Sequence, residues 1–280
     1  MRTRATIAAV TGALALAGLV APTAVADDAP RRDSSRPVLE KFQQAEKPSA
    51  RSSKAAAPVI SNVVVNGGKP FVVGVADKPI RAVFNVKSPG GIGDAYSEIW
   101  HGTAYNENTP FIPMDGVKGC AGTWVNCTAD FLVMPSIDLT SNARAGKWNI
   151  GVAVIDAAGV NTAVNEKAGS VTILRESRLT TDATPEGVKK GKPLTVNGSL
   201  RIVNWNAQNF GAYANQTVHL EFMKKGATAY SRVKTLKTDK AGNVKTTVTA
   251  SADGYWRYVY PGVASAIAPK TSVADFIDVR

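Results

Sequence analysis

The chain has 280 residues, enough for one large domain or two ordinary ones. Apolar residues make up 44% and charged residues 20%, a balance that supports a packed core and argues against a disordered chain or a long coiled coil. The formal net charge is +11, and the two His and two Cys exclude a multi-zinc protein or a disulfide-dense miniprotein.

The first 26 residues have the pattern of an export signal. Arg2 and Arg4 precede an apolar run over 7–20, Pro22 breaks it, and Ala24-Val25-Ala26 offers a small-x-small cleavage site. The run is 14 residues long, short of the roughly 20 that a membrane span requires. A Sec-type route is expected, because no twin-Arg pair precedes the run. The mature protein is then expected to start at Asp27, outside the cell, with no membrane span. Residues 27–57 mix Pro, Ser, Ala, Lys, Arg and Asp with few large apolar side chains. Such a segment cannot bury enough surface to offset its ordering entropy and reads as a disordered leader.

From Pro58 the pattern changes to short β runs. Strands are expected at 59–65, 71–75, 80–87 and 95–103, with turn residues Asn66-Gly67-Gly68 and Ser88-Pro89-Gly90-Gly91 between them. Residues 104–119 are rich in Asn, Pro and Gly and read as a long loop. Strands resume at 123–134, at 148–154, where Trp148, Ile150, Val152 and Val154 alternate, and at 168–174. From Glu176 a second series follows, at 178–180, 191–196, 216–224, 230–238, 244–250, 254–260 and 273–279. Seven short strands per block predict an all-β protein of two tandem antiparallel immunoglobulin-like β-sandwiches, over 58–175 and 176–280.

Cys120 and Cys127 are the only cysteines, with six residues between them. In an oxidising compartment they are expected to form a structural disulfide, worth about 2.5 kcal/mol by loop entropy. Redox pairs favour two intervening residues, and no nearby His completes a metal site. Asp156-Ala157-Ala158-Gly159 and Asp239-Lys240-Ala241-Gly242 each follow a strand and precede another. They predict hairpin turns, with Asp capping and Gly at positive φ. A calcium loop needs oxygen ligands at alternate positions and a Glu at the twelfth, and neither segment has them.

The segments Arg178-Leu179-Thr180, Pro185, Val188-Lys189-Lys190-Gly191-Lys192-Pro193-Leu194-Thr195-Val196-Asn197-Gly198, Gln216-Thr217-Val218-His219-Leu220-Glu221-Phe222 and Ala252-Asp253-Gly254-Tyr255-Trp256-Arg257-Tyr258 resemble the C-terminal module of a family of secreted actinomycete proteins. The run from Pro58 to Pro70 and Trp100-His101-Gly102 resemble the N-terminal module of the same family. The resemblance implies bacterial Ig-like modules. Some members carry a calcium-binding label, and the family has no established functional residues to transfer.

No catalytic constellation stands out. His101 has Glu98 three residues earlier, which places the pair on opposite faces of a strand. His219 alternates with Val218 and Leu220, so it is expected on a solvent face. No Gly-x-Ser-x-Gly elbow and no phosphate loop occurs. Trp148 and Trp256 are expected in the core, while Trp100, Trp124 and Trp205 lie near loops; whether these three converge is open.

Charge is unevenly divided. The block 58–175 holds nine Lys and Arg against nine Asp and Glu, whereas 176–280 holds fifteen against eight. Lys189, Lys190, Lys192, Lys224 and Lys225 are therefore the candidate contacts for an anionic cell-wall polymer or glycan. Nucleic acid is not expected, because no recognition helix is visible. The function read from the sequence is a secreted, monomeric, non-catalytic binding or structural module with no cofactor. A calcium-stabilised module and a secreted hydrolase remain as alternatives.

Overall fold

The structure, a computed structural model, describes residues 55–106 and 108–280. The expected export signal, and the leader up to residue 54, lie outside the described residues.

The first block contains β1 (Val59–Val65), β2 (Phe71–Val73), β3 (Lys78–Lys87), β4 (Ile92–His101), β5 (Phe111–Pro113), β6 (Gly116–Lys118), β7 (Trp124–Val133), β8 (Gly146–Asp156) and β9 (Thr162–Arg175). They form two facing sheets, β1-β3-β7-β6 and β2-β9-β8-β4-β5. A four-residue helix, α1 (Pro135–Asp138), sits between β7 and β8. The second block contains β10 (Ser177–Leu179), β11 (Asp182–Thr184), β12 (Gly187–Val188), β13 (Pro193–Asn204), β14 (Asn209–Ala212), β15 (Thr217–Lys224), β16 (Ser231–Lys237), β17 (Asn243–Thr249), β18 (Gly254–Tyr260), β19 (Lys270–Thr271) and β20 (Asp275–Val279). Here β13 is the spine of one sheet, pairing with β10 and β14 along one half and with β11 and β17 along the other. The opposing sheet runs β12-β20-β18-β15-β16, with β19 on β18. The protein is thus a tandem pair of immunoglobulin-like β-sandwiches.

The strands form where the apolar period is two. On β3, Ile80, Ala82, Phe84 and Val86 are buried, while Arg81, Val83 and Lys87 face out. β18 alternates the same way, with Trp256, Tyr258 and Tyr260 inward. One core gathers Phe84, Phe131, Trp148 and Ile150, and the other gathers Leu200, Leu220, Tyr258 and Ile277. Gly198 of β13 packs against Tyr258 of the opposite sheet. A Cβ there would come within 2.8 Å of the Tyr258 ring and 2.5 Å of the Thr180 carbonyl.

Pairing is antiparallel except at one edge of each sandwich. β2 runs parallel to β9, and β12 runs parallel to β20. In the first sandwich β1, and in the second β10 and β11, pair in one sheet before the chain crosses to the edge of the other. In the first sandwich this crossing is the short 3-10 turn Asn66–Gly68.

Residues 104–119 are not a free loop. Two short strands, β5 and β6, lie within them, one in each sheet. The segment also lies over the outer face of the β8-β4 sheet, where Tyr105 and Met114 pack on Tyr96 and Ala153. This cover explains why β8 is buried on both faces rather than one. β11, β12, β14 and β19 also lie outside the strands read from the sequence. Each has only two to four residues, too few for a period to show.

The two sandwiches meet through specific bonds. The Arg175 amide donates to Ala266 O at 2.9 Å and its carbonyl accepts from the Ala268 amide at 3.0 Å. Its guanidinium donates to Val203 O. Trp205, from the loop after β13, is fully buried in the core of the first sandwich and donates Nε1–H to Gly74 O at 3.1 Å. Asn142 clasps the same loop, accepting from the Trp205 amide and donating to the Asn204 side chain, both at 2.9 Å.

Candidate anion-binding pole

The five lysines singled out in the sequence come from two places in the chain, and the second sandwich carries them both to one end. β12 is held parallel to the end of β20, so the turn after it starts beside the last strand. In that turn the Lys190 amide donates to Arg280 O at 2.8 Å, and the Lys192 amide to Lys189 O at 3.0 Å. Gly191, at φ 82, lets the turn close and donates to Ala250 O at 2.8 Å. The Ala250 amide returns a bond to Lys192 O at 2.9 Å, which ties the turn to the end of β17. Lys224 ends β15 opposite Gly254. The Lys225 amide donates to Asp253 O at 2.8 Å. Asp253 closes the arrangement by accepting the Val279 amide at 2.9 Å.

All five lysine side chains are exposed. Lys225 has a loose ion pair with Asp253 at 3.7 Å, and Arg280 pairs with Asp278 at 2.8 Å. Among the described residues Lys189, Lys190, Lys192 and Lys224 make no ion pair. Their ammonium groups are left to solvent, where they attract anions over about 8 Å at physiological salt. The remaining basic residues of this sandwich are more dispersed. On β16, Lys234 spends its ammonium on Thr246 Oγ1 and Thr247 O, at 3.1 and 2.7 Å.

The two histidines form no triad. The His101 ring packs on Trp148, with centroids 5.1 Å apart, while Glu98 is on the covered outer face, accepting from the Tyr96 hydroxyl at 3.1 Å. Burial, and then the nearby Arg144 charge, lower the His101 pKa and favour the neutral ring. A cavity of about 540 Å³ beside it is lined by Lys147, Asn149 and Lys167, with no carboxylate. His219 contacts Thr235 Oγ1 at 3.1 Å; burial and Arg232 lower its pKa, against Glu221.

Both Asp-x-Ala-Gly segments are hairpin turns, with Gly159 and Gly242 at φ 67 and 74. Asp156 Oδ1 accepts the Val160 amide at 2.9 Å, and its Oδ2 accepts the Asn161 side-chain amide at 2.6 Å. Burial alone would raise the Asp156 carboxyl; bonds from Val160, Asn161 and Ala158 outweigh it and hold the acid below its ordinary value. Asp239 Oδ1 accepts the Ala241 and Asn243 amides, each at 2.8 Å. These carboxylates cap their own turns. Among the described residues no group of three His, Cys, Asp or Glu side chains gathers.

Cys120 and Cys127 are bonded, with Cα atoms 4.8 Å apart. Trp100 and Trp205 are fully buried, whereas Trp124 is 69% exposed. The three tryptophans left open by the sequence therefore do not converge on a surface. Position near a loop misjudged Trp100 and Trp205, because the 104–119 cover and the junction between the sandwiches bury them.

No protein-family model matches the chain, and no curated protein sequence matches it. Solved structures resemble it at low similarity. The fibronectin(III)-like modules of Clostridium thermocellum CbhA are 13% identical, over 78% of this chain and 95% of that one, with a TM-score of 0.31. The D00-D0 domain of intimin is 13% identical over 78% of this chain and 99% of that one, with a TM-score of 0.27. A superoxide reductase from Ignicoccus hospitalis is 16% identical over 36% of this chain and 80% of that one, also with a TM-score of 0.27. Likeness at this level carries no functional argument, and the sandwich architecture stands on the strand pairings described above.

Proposed function

We propose that the protein is an exported, non-catalytic module that attaches to an anionic wall polymer through the basic pole of its second sandwich. The observation that carries the reading is the convergence of Lys189, Lys190, Lys192, Lys224 and Lys225 on one end of the fold. Four of these ammonium groups are free of ion pairs among the described residues. A phosphate-bearing polymer such as teichoic acid, or a phosphorylated glycan, would satisfy them together. The charge imbalance supports the same placement, since the first sandwich is formally neutral.

The test is co-sedimentation of the intact chain with isolated Gram-positive cell wall. Cutting the protein between the sandwiches would tear Trp205 from the first core, so whole-chain variants are the right comparison. Binding should fall steeply from low to high salt, as screened attraction does. Lys189→Ala, Lys190→Ala and Lys192→Ala together should weaken it without changing the melting temperature. Salt-independent binding, or binding untouched by the triple change, would remove the electrostatic reading.

A further inference from the structure

The outer face of the β1-β3-β7-β6 sheet carries a second, chemically different surface. Trp124 begins β7 with its indole 69% exposed, although its neighbours Cys127, Ala129, Phe131 and Val133 are buried in the core. It lies inside the ring closed by the Cys120–Cys127 disulfide. Thr123, just before it, accepts the Ser88 amide through its carbonyl at 2.8 Å. The backbone that presents the ring is thus fixed on both sides. Lys87, directly opposite on β3, places its ammonium 5.5 Å from the ring centroid, which biases the orientation of the indole.

Along the same face, each rung of the β3–β7 ladder adds a different polar or apolar group. Asn85 donates its side-chain amide to Asn126. Val83, 41% exposed, lies opposite Thr128. Asp130 then accepts from Arg81 at 2.8 Å and from Lys118 at 2.9 Å. Arg81, Val83 and Asp130 also border a trough of about 680 Å³, which Val64, Pro79 and Leu132 line on its apolar side and Asn66 and Asp115 on its polar side.

We infer that this strip is a binding surface for a neutral, hydroxyl-rich glycan chain, with Trp124 as its stacking platform. An exposed indole offers its face to the C–H side of a sugar ring. The Asn85–Asn126 pair and the Arg81–Asp130–Lys118 group offer donors and acceptors at successive rungs, where hydroxyls would project. Asp130 and the neighbouring Asp115 together match the charges of Arg81 and Lys118, so the strip does not select an ionic partner as the lysine pole does. Its shape also argues against a protein partner. From Trp124 to Leu132 the strip is about 27 Å long, and four strands make it about 14 Å wide. That is about 400 Å², half of the roughly 800 Å² per partner in a stable protein interface. The surface is independent of the basic pole and would hold even if the pole bound nothing.

The test is affinity electrophoresis of the full chain in native gels containing hydroxyethyl cellulose, xylan, galactomannan or soluble peptidoglycan strands. Chitohexaose is followed by fluorescence quenching, because Trp124 is the exposed tryptophan among five. At least one probe should retard or protect the wild type, equally at low and at molar salt. Trp124→Ala should weaken that binding roughly tenfold or more, as loss of an anchoring aromatic does elsewhere, with an unchanged melting curve. Asn126→Ala should weaken it less, and the Lys189, Lys190 and Lys192 triple variant should bind normally. Binding to none of the probes, or full binding by Trp124→Ala, would overturn the proposal. So would a Trp124-dependent dimer in sedimentation, or Trp124-dependent binding that salt abolishes.

Discussion

In the first sandwich the outer sheet face shows solvent an indole, an amide pair and a paired ion group, and the backbone under the indole is closed by a disulfide. In the second, the outward chemistry is concentrated at one end of the sandwich, where a turn and a strand end carry exposed lysines. Both are built on the same plan, with an opening segment that changes sheets and ends parallel to the last strand. The lesson is that the pairing pattern sets the scaffold while the outward positions of the period are free to carry different chemistry. One face thus presents an aromatic ring beside paired charges, and the other end presents unpaired lysines.

The sandwiches are unequal in how they depend on each other, as Trp205 shows. It is contributed by the second block but is buried in the first core. Trp205→Ala should cost about 3–5 kcal/mol, read by chemical denaturation of the intact chain, with the loss felt by the first sandwich. A cost below about 1 kcal/mol would show that the junction is incidental to the fold.

Next in size is the disulfide. Reducing Cys120–Cys127 should lower stability by about 2.5 kcal/mol. The effect should be confined to the sandwich that holds it. An equal response of the second sandwich would mean that the two unfold as one cooperative unit.

The paired Asp turns offer a finer contrast. Asp156→Asn should destabilise by about 1–2 kcal/mol at neutral pH, since the amide cannot keep the same set of accepted bonds. The Asp156 acid is held below its ordinary value. Its stabilising contribution is therefore present above the unfolded carboxyl pKa of about 4 and is lost as pH falls through the folded value. The gap between wild type and variant should accordingly close in acid. A gap that widened below pH 4 would contradict the assigned bonds.

The smallest expected change is at the pole itself. Replacing Lys189, Lys190 and Lys192 with Ala should move stability by no more than about 0.5 kcal/mol, as exposed positions usually do. Only the salt-dependent binding should respond. A large loss of stability would show that the turn after β12 supports the fold rather than displaying charge.

Much of this was legible locally. The alternation in β3, β8 and β18 marked their buried faces, and Asp156 and Asp239, each three residues before a Gly, marked hairpins that the structure contains. Cys120 and Cys127 could be paired because no other thiol competes. Val83 is an apolar residue on a polar face, and the reason is visible only when Val64, Thr128 and Trp124 share that face. Trp124 itself was indistinguishable from Trp100, since both are close to turns. One is covered by a chain segment that folds back over its sheet, and the other is not.

The sequence by itself determined the period-two strands, the turn chemistry, the short disulfide ring and the uneven charge, because each depends on neighbours a few residues away. Only the closed fold decides that 104–119 covers a sheet, that Trp205 crosses into the other core and that two separate lysine segments share a pole. Those outcomes depend on contacts between residues tens of positions apart. Their energies come from burial and ladder bonds formed only when the sheets close, so no local pattern records them.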